Sequence, residues 1–175
     1  QAYLKASILQ VDDFFGGSVS VSGNSAIVGT QNYYGGNSTT VFVRNGVEWS
    51  LQQRIATEYT GNVVLSGDSL LTGSSTAYFY TRSGSSWNFQ TSFAPPKFSL
   101  PDHWQNFFDY SGDKIVLGAV EKSYGKGAAY VYSSNGMDWT LDAEIRASNS
   151  DFETLFGENV GIDGATVVVG STQEK

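Results

Sequence analysis

Four segments follow one another between residues 15 and 55: Phe15-Gly16-Gly17-Ser18-Val19-Ser20-Val21-Ser22-Gly23, Ser25-Ala26-Ile27-Val28-Gly29, Thr40-Val41-Phe42-Val43-Arg44-Asn45-Gly46 and Trp49-Ser50-Leu51-Gln52-Gln53-Arg54-Ile55. The first alternates polar and apolar residues, the period of a strand with two unlike faces. The second is a short apolar run, the third is aromatic and β-branched, and the fourth begins at a tryptophan. Ser22-Gly23 marks a turn after the first segment, and Asn45-Gly46 supplies the positive φ that a tight hairpin demands between the third and fourth strands, as Ser83-Gly84 does in a later copy. The stretch therefore reads as four short strands joined by turns.

The rest of the chain repeats it. Ser22-Gly23 returns as Ser66-Gly67, as Ser111-Gly112 and, altered, as Asp163-Gly164, at spacings of 67 − 23 = 44, 112 − 67 = 45 and 164 − 112 = 52. A second anchor, the glycine closing the second strand, stands six residues later in every copy, at Gly29, Gly73, Gly118 and Gly170. A third places Trp49, Trp87 and Trp139 three residues after a turn glycine. Fixed periods of this length signal one supersecondary unit arrayed many times. Four antiparallel strands per period is the blade of a β-propeller, and no segment keeps the apolar period of a helical solenoid.

The expected fold is an all-β propeller of four-stranded antiparallel blades, with three complete blades and partial blades at both termini. The pieces are residues 1–10, repeats 11–56, 57–94 and 95–147, and a partial repeat 148–175. Ala2-Tyr3-Leu4-Lys5-Ala6-Ser7 aligns with Ala143-Glu144-Ile145-Arg146-Ala147-Ser148, which marks it as an outer, fourth strand. Exposed sheet edges are a liability that propellers remove by closing the ring. The expectation is a propeller segment completed by a continuation of the chain, by a copy of itself or by another subunit.

Composition narrows the function. The chain has 175 residues, 14% aromatic and 15% charged, with 20 glycines and a formal net charge of −7. That balance suits a sheet protein with polar, uncharged faces. Ten scattered Lys and Arg argue against nucleic acid, which needs clustered cations. The absence of cysteine rules out a disulfide framework, a thiolate nucleophile and a Cys-ligated zinc site. No apolar run approaches the length of a membrane span, and the chain reads as either cytosolic or, the favoured expectation, a mature product whose leader is gone.

Phe15-Gly16 and Phe156-Gly157 opening a repeat, then Ser18 to Gly23, Ala26-Ile27-Val28-Gly29 and the closing Trp49 to Ile55, resemble the FG-GAP repeats of integrin-alpha-like β-propellers. The likeness covers nearly the whole chain and weakens in the middle, where Tyr59-Thr60 and Trp104-Gln105 replace Phe-Gly. It implies a seven-bladed propeller, extracellular or at the cell surface, used for adhesion, carbohydrate or protein recognition, or scaffolding. Calcium-bearing members carry a D-x-D-x-D-G type loop that this sequence lacks. The nearest substitutes are Asp12-Asp13, Asp102, Asp109, Asp113 and the pair Asp151 and Glu153, of which Asp12, Asp13, Asp151 and Glu153 are the candidate calcium ligands. Two neighbouring carboxylates fill only part of a calcium shell, and loop carboxylates are more often solvated turn residues.

Ligand-binding candidates are Tyr33 and Tyr34, in the Gly-rich loop after the second strand, and His103 and Trp104, near Phe107, Phe108 and Tyr110. Rings on the loops of a rigid scaffold can stack on sugars or on a protein partner, although such rings more often fill a core. Trp49, Trp87 and Trp139 read as packing residues between blades. Asn37-Ser38-Thr39 is an N-glycosylation sequon that would support a secreted origin in a eukaryote. No catalytic residue is assigned: His103 is the only histidine, and no G-x-S-x-G elbow or phosphate loop is present. The first-strand positions, Ser18 to Val21, Gly61 to Val64, Phe107 to Tyr110 and Asn159 to Ile162, are mostly small, uncharged or apolar. The reading is a non-catalytic extracellular binding or assembly module whose partners are other protein chains, in a homo- or hetero-oligomer, and glycans. The alternative is a propeller-fold enzyme acting on an extracellular polysaccharide or glycoconjugate.

Overall fold

The computed structural model of the chain describes residues 3–5, 13–32, 36–57, 60–96, 107–120, 127–148 and 155–172. Strands β1 (Asp13–Ser22), β2 (Ser25–Asn32), β3 (Ser38–Asn45) and β4 (Glu48–Ala56) pair in that order as one antiparallel sheet. A second sheet holds β5 (Asn62–Ser66), β6 (Ser69–Gly73), β7 (Ala77–Ser83) and β8 (Ser86–Phe93). A third holds β9 (Phe108–Ser111), β10 (Lys114–Ala119), β11 (Ala128–Ser134) and β12 (Trp139–Ile145), and β13 (Asn159–Asp163) pairs with β14 (Thr166–Gly170). Tyr3–Lys5, the described part of the expected outer strand, lies outside these sheets.

The turn chemistry explains the regular order. Ser22 pairs with Ser25 and Ser66 with Ser69, so each first hairpin has a two-residue loop opened by glycine. Gly23 and Gly67 both sit at φ +57, and neither Asn24 nor Asp68 has positive φ, the pattern of a type II′ turn that matches strand twist. The third-to-fourth hairpin uses the same device, with Asn45 opposite Glu48 and Gly46 at φ +61. A one-residue irregularity recurs in β3–β4 between Val41 and Phe42, and in β11–β12 between Val131 and Tyr132. Such bulges bend the outer strand and tighten its twist.

Two compact units make up the chain, Gln1–Ser92 and Phe93–Lys175. In the first, Ile27, Val41 and Ile55 of one sheet form a buried cluster with Val63, Leu65, Leu70 and Trp87 of the next. In the second, Val116, Ala129 and Val131 cluster with Ile162, flanked by Ile145, Val160, Val167 and Val169. Phe93 packs edge-on against Trp139 at 5.3 Å between ring centres, within that second unit. Each core is thus a layer between consecutive sheets, the sandwich expected where the two faces of alternating strands carry apolar residues.

Candidate functional site

The first strand of a blade is an edge, and alternate backbone amides along it point away from its hairpin partner. Left bare, they invite the wrong strand. This chain covers them with side-chain oxygens from the preceding repeat. Ser18 Oγ accepts from Val63 N, Ser20 Oγ from Leu65 N and Ser22 Oγ from Gly67 N, each at 3.0 Å and each 45 residues apart. Ser18 also donates to Asn62 Oδ1 at 3.2 Å. The period-two placement of the serines in β1 is what aims all three at one neighbouring strand.

The second unit repeats the seam with one change. Asp109 Oδ2 accepts from Ile162 N at 2.9 Å, and Ser111 Oγ from Gly164 N at 3.0 Å, both 53 residues apart. Asp109, a carboxylate in the inner-strand set, is therefore held as a structural acceptor.

The glycine anchors belong to the same seam. A Cβ on Gly118 would lie 2.0 Å from Gly157 O, and one on Gly157 would lie 2.4 Å from Ala128 O. The Phe-Gly turn of one repeat thus crosses the second-strand glycine of the repeat before it, at a separation only two glycines permit. Farther out, Trp87 donates Nε1–H to Gln52 Oε1 at 3.0 Å and N–H to Gln53 Oε1 at 2.8 Å, while Gln53 Nε2 donates back to Trp87 O. This bears out the expectation that Trp87 packs between blades. A feature missed at the sequence level is the guanidinium over each of two tryptophans, Arg44 over Trp49 at 5.7 Å and Arg82 over Trp87 at 5.4 Å. The signal was present, because Arg precedes Trp by five residues in both repeats.

One face breaks the pattern. Val63 and Leu65 are 3% and 5% exposed and Phe108 is 2%, yet their first-repeat counterparts Val19 and Val21 are 65% and 68% exposed. Phe14 on the same strand is exposed as well. Gly16 has the φ of +93 that Gly157 has, but a Cβ there would meet nothing within 4 Å. In the fourth repeat Val168 is 67% exposed, where its counterparts Ile27, Leu71 and Val116 are fully buried.

Most of the residues singled out from sequence, Tyr33, Tyr34, His103, Trp104, Asp12, Asp151 and Glu153, lie outside the described residues. Asp13 is described, and its Oδ1 accepts from Asn32 Nδ2 at 2.6 Å. Among the described residues no group of three or more His, Asp or Glu is placed to hold a metal ion. Asn37 of the sequon is buried, and its Oδ1 accepts from Asn32 N at 2.7 Å. No helix among the described residues is long and apolar enough to cross a membrane. Burial raises the Tyr80 and Tyr132 phenols above their ordinary value of 10.0, with smaller contributions from Tyr78 and Tyr130.

No family model matches the chain, and no curated protein matches it either. Among solved structures, the crystal structure of Saccharomyces cerevisiae Sqt1 superposes with a TM-score of 0.56 at 10% identity. The match covers 83% of this chain and 38% of that one, so the chain spans well under half the length of the protein it resembles. At that identity the likeness speaks of fold alone, and with the four-stranded antiparallel sheets it makes this chain an all-β protein of β-propeller architecture.

Proposed function

We propose that the chain is a non-catalytic binding and assembly module whose partners are proteins, built on an FG-GAP-like propeller of the integrin-alpha type and acting outside the cell or at its surface. The observation that carries this reading is the exposed apolar face of β1, with Val19 and Val21 open to water where the same repeat positions elsewhere are buried or half-buried. Contiguous exposed apolar surface on a folded domain marks interaction sites. The side-chain oxygens of Ser18, Ser20, Ser22, Asp109 and Ser111 support the non-catalytic part, since each is engaged by a neighbouring backbone amide. A general acid or base needs a group within reach of a substrate proton, and these groups are committed to the scaffold. Glycan recognition and the extracellular setting rest on the FG-GAP resemblance.

Hydroxyl-radical footprinting read by mass spectrometry tests the proposal. Phe14, Val19 and Val21 are expected to be oxidised readily in the purified chain at high dilution, where no copy covers another, and to be protected in extracts from the natural source. Equal oxidation in both settings overturns it.

A further inference from the structure

The two seams inside this chain define what a strand must present to sit on the next repeat, and both halves of that requirement recur, uncovered, one in the first repeat and one in the fourth. We infer that the exposed face of β1 receives the β13–β14 hairpin of a second copy of this chain, in head-to-tail register. This deepens the assembly reading above and rests on it.

The register follows from the repeat. Ser22 accepts from Gly67 N and Ser111 accepts from Gly164 N; the fourth-repeat residue at this position is Asp163, and the first-repeat amide is Gly23 N. Ser18 accepts from Val63 N; the corresponding pair is Asn159 and Val19 N. Asn159 and Asp163 are both exposed, and both side chains carry the acceptor oxygen that the position uses. Among the described residues, the amides of Val19, Val21 and Gly23 meet no side-chain acceptor. Ile27 packs in one cluster with Val63 and Leu65, and the pairing predicted from it is Val168 with Val19 and Val21. Those three valines are the positions that stand open at 67%, 65% and 68% while their counterparts Ile27, Val63 and Leu65 are closed. Gly118 admits the carbonyl of Gly157; the corresponding pair is Gly170 and Gly16, and Gly16 holds the same φ of +93 with no neighbour. Gly161, at the position of Ser20 and Asp109, offers no acceptor, so the inter-copy seam has two rungs. The two surfaces differ, so the association is heterologous and grows into a ring or a filament.

The chain has no cysteine, which makes cross-linking clean. Full chains carrying Val21→Cys are mixed with full chains carrying Val168→Cys under mild oxidant. A mixed disulfide species at twice 18.9 kDa is expected, with little product from either variant alone. Predominant Val21→Cys homodimer overturns the proposal in favour of a two-fold contact. Light scattering gives the second measurement: self-association of the unaltered chain is expected to weaken about tenfold or more in Val21→Asp and in Val168→Asp, because either places a carboxylate in an apolar contact. Both sites are exposed in the single chain, so circular dichroism is expected to be unchanged. An unaltered chain that stays at 18.9 kDa from about 1 to 100 µM overturns the second copy as occupant. Protection of the β1 face in the natural source would then leave the broader reading standing, with a different protein on that face.

Discussion

The seam from β1 to β5 and the seam from β9 to β13 are built to one plan with unlike parts. The first uses three neutral hydroxyls in a row, Ser18, Ser20 and Ser22; the second uses the carboxylate of Asp109 followed by Ser111. A carboxylate makes the stronger bond to an amide and leaves the costlier vacancy when removed. The comparison teaches that the position asks only for an oxygen acceptor pointing at an edge amide, and that residue identity sets how tightly each pair of repeats is held.

Removing the largest packing group of one seam is the severest way to break it. Trp87→Ala is expected to lower the stability of the first unit by about 3–5 kcal/mol, since it empties a buried cluster and strands Gln52 and Gln53. Hydrogen exchange is expected to speed up in β5–β8 and to stay slow in β10 and β11, which have their own core; uniform acceleration would show that the seams are not separate.

Next comes the Phe-Gly pair. Gly157→Ala combines left-handed strain with a Cβ 2.4 Å from Ala128 O, and a loss of about 3 kcal/mol is expected by denaturant titration. Gly16→Ala carries the strain alone and is expected to lose only about 1 kcal/mol. Equal losses would mean that the close approach at Gly157 contributes nothing.

The acceptors themselves follow. Asp109→Ala leaves the Ile162 amide without its partner and is expected to lose about 2 kcal/mol, against about 1 kcal/mol for Ser20→Ala at Leu65. The reverse order, measured in the same titration, would remove charge as the distinguishing term.

The smallest effect is at high pH and is shared by both units. Tyr80 and Tyr132 have folded-state values raised by burial, so their contribution is full below 10.0, where both states are neutral. It is lost as pH rises above 10.0 through the folded value, because the unfolded chain ionises first. Thermal melts between pH 9 and 11 are expected to fall less steeply in Tyr80→Phe and Tyr132→Phe than in the unaltered chain.

Much of this architecture is legible in the residue order. Gly23, Gly67 and Gly112 announce their hairpins because a positive φ is a local demand, and the 44- and 45-residue spacings then carry the register from blade to blade. The alternation of Val19 and Val21 with serines told which side of β1 was apolar. It did not tell that the serines accept from the next repeat, because that contact spans 45 residues and involves a backbone amide that leaves no mark in the sequence. Gly118 read as a strand end, and its real constraint is the carbonyl of Gly157 from the following repeat. The binding and metal candidates from Tyr33 to Glu153 fall where the repeat is interrupted. There no periodicity fixes a side chain to one face, and residue type alone gives chemistry without position.

The ladder of β1 on β5 has a bearing on how such arrays evolve. Each rung joins an oxygen written in the genetic code of one repeat to an amide that every residue but proline supplies. Only one party to the contact is encoded, so this ladder re-forms after a repeat is duplicated, deleted or exchanged, with no matching change in the strand next door. The side-chain and glycine pairs across the same seam are the contacts that would have to be carried along.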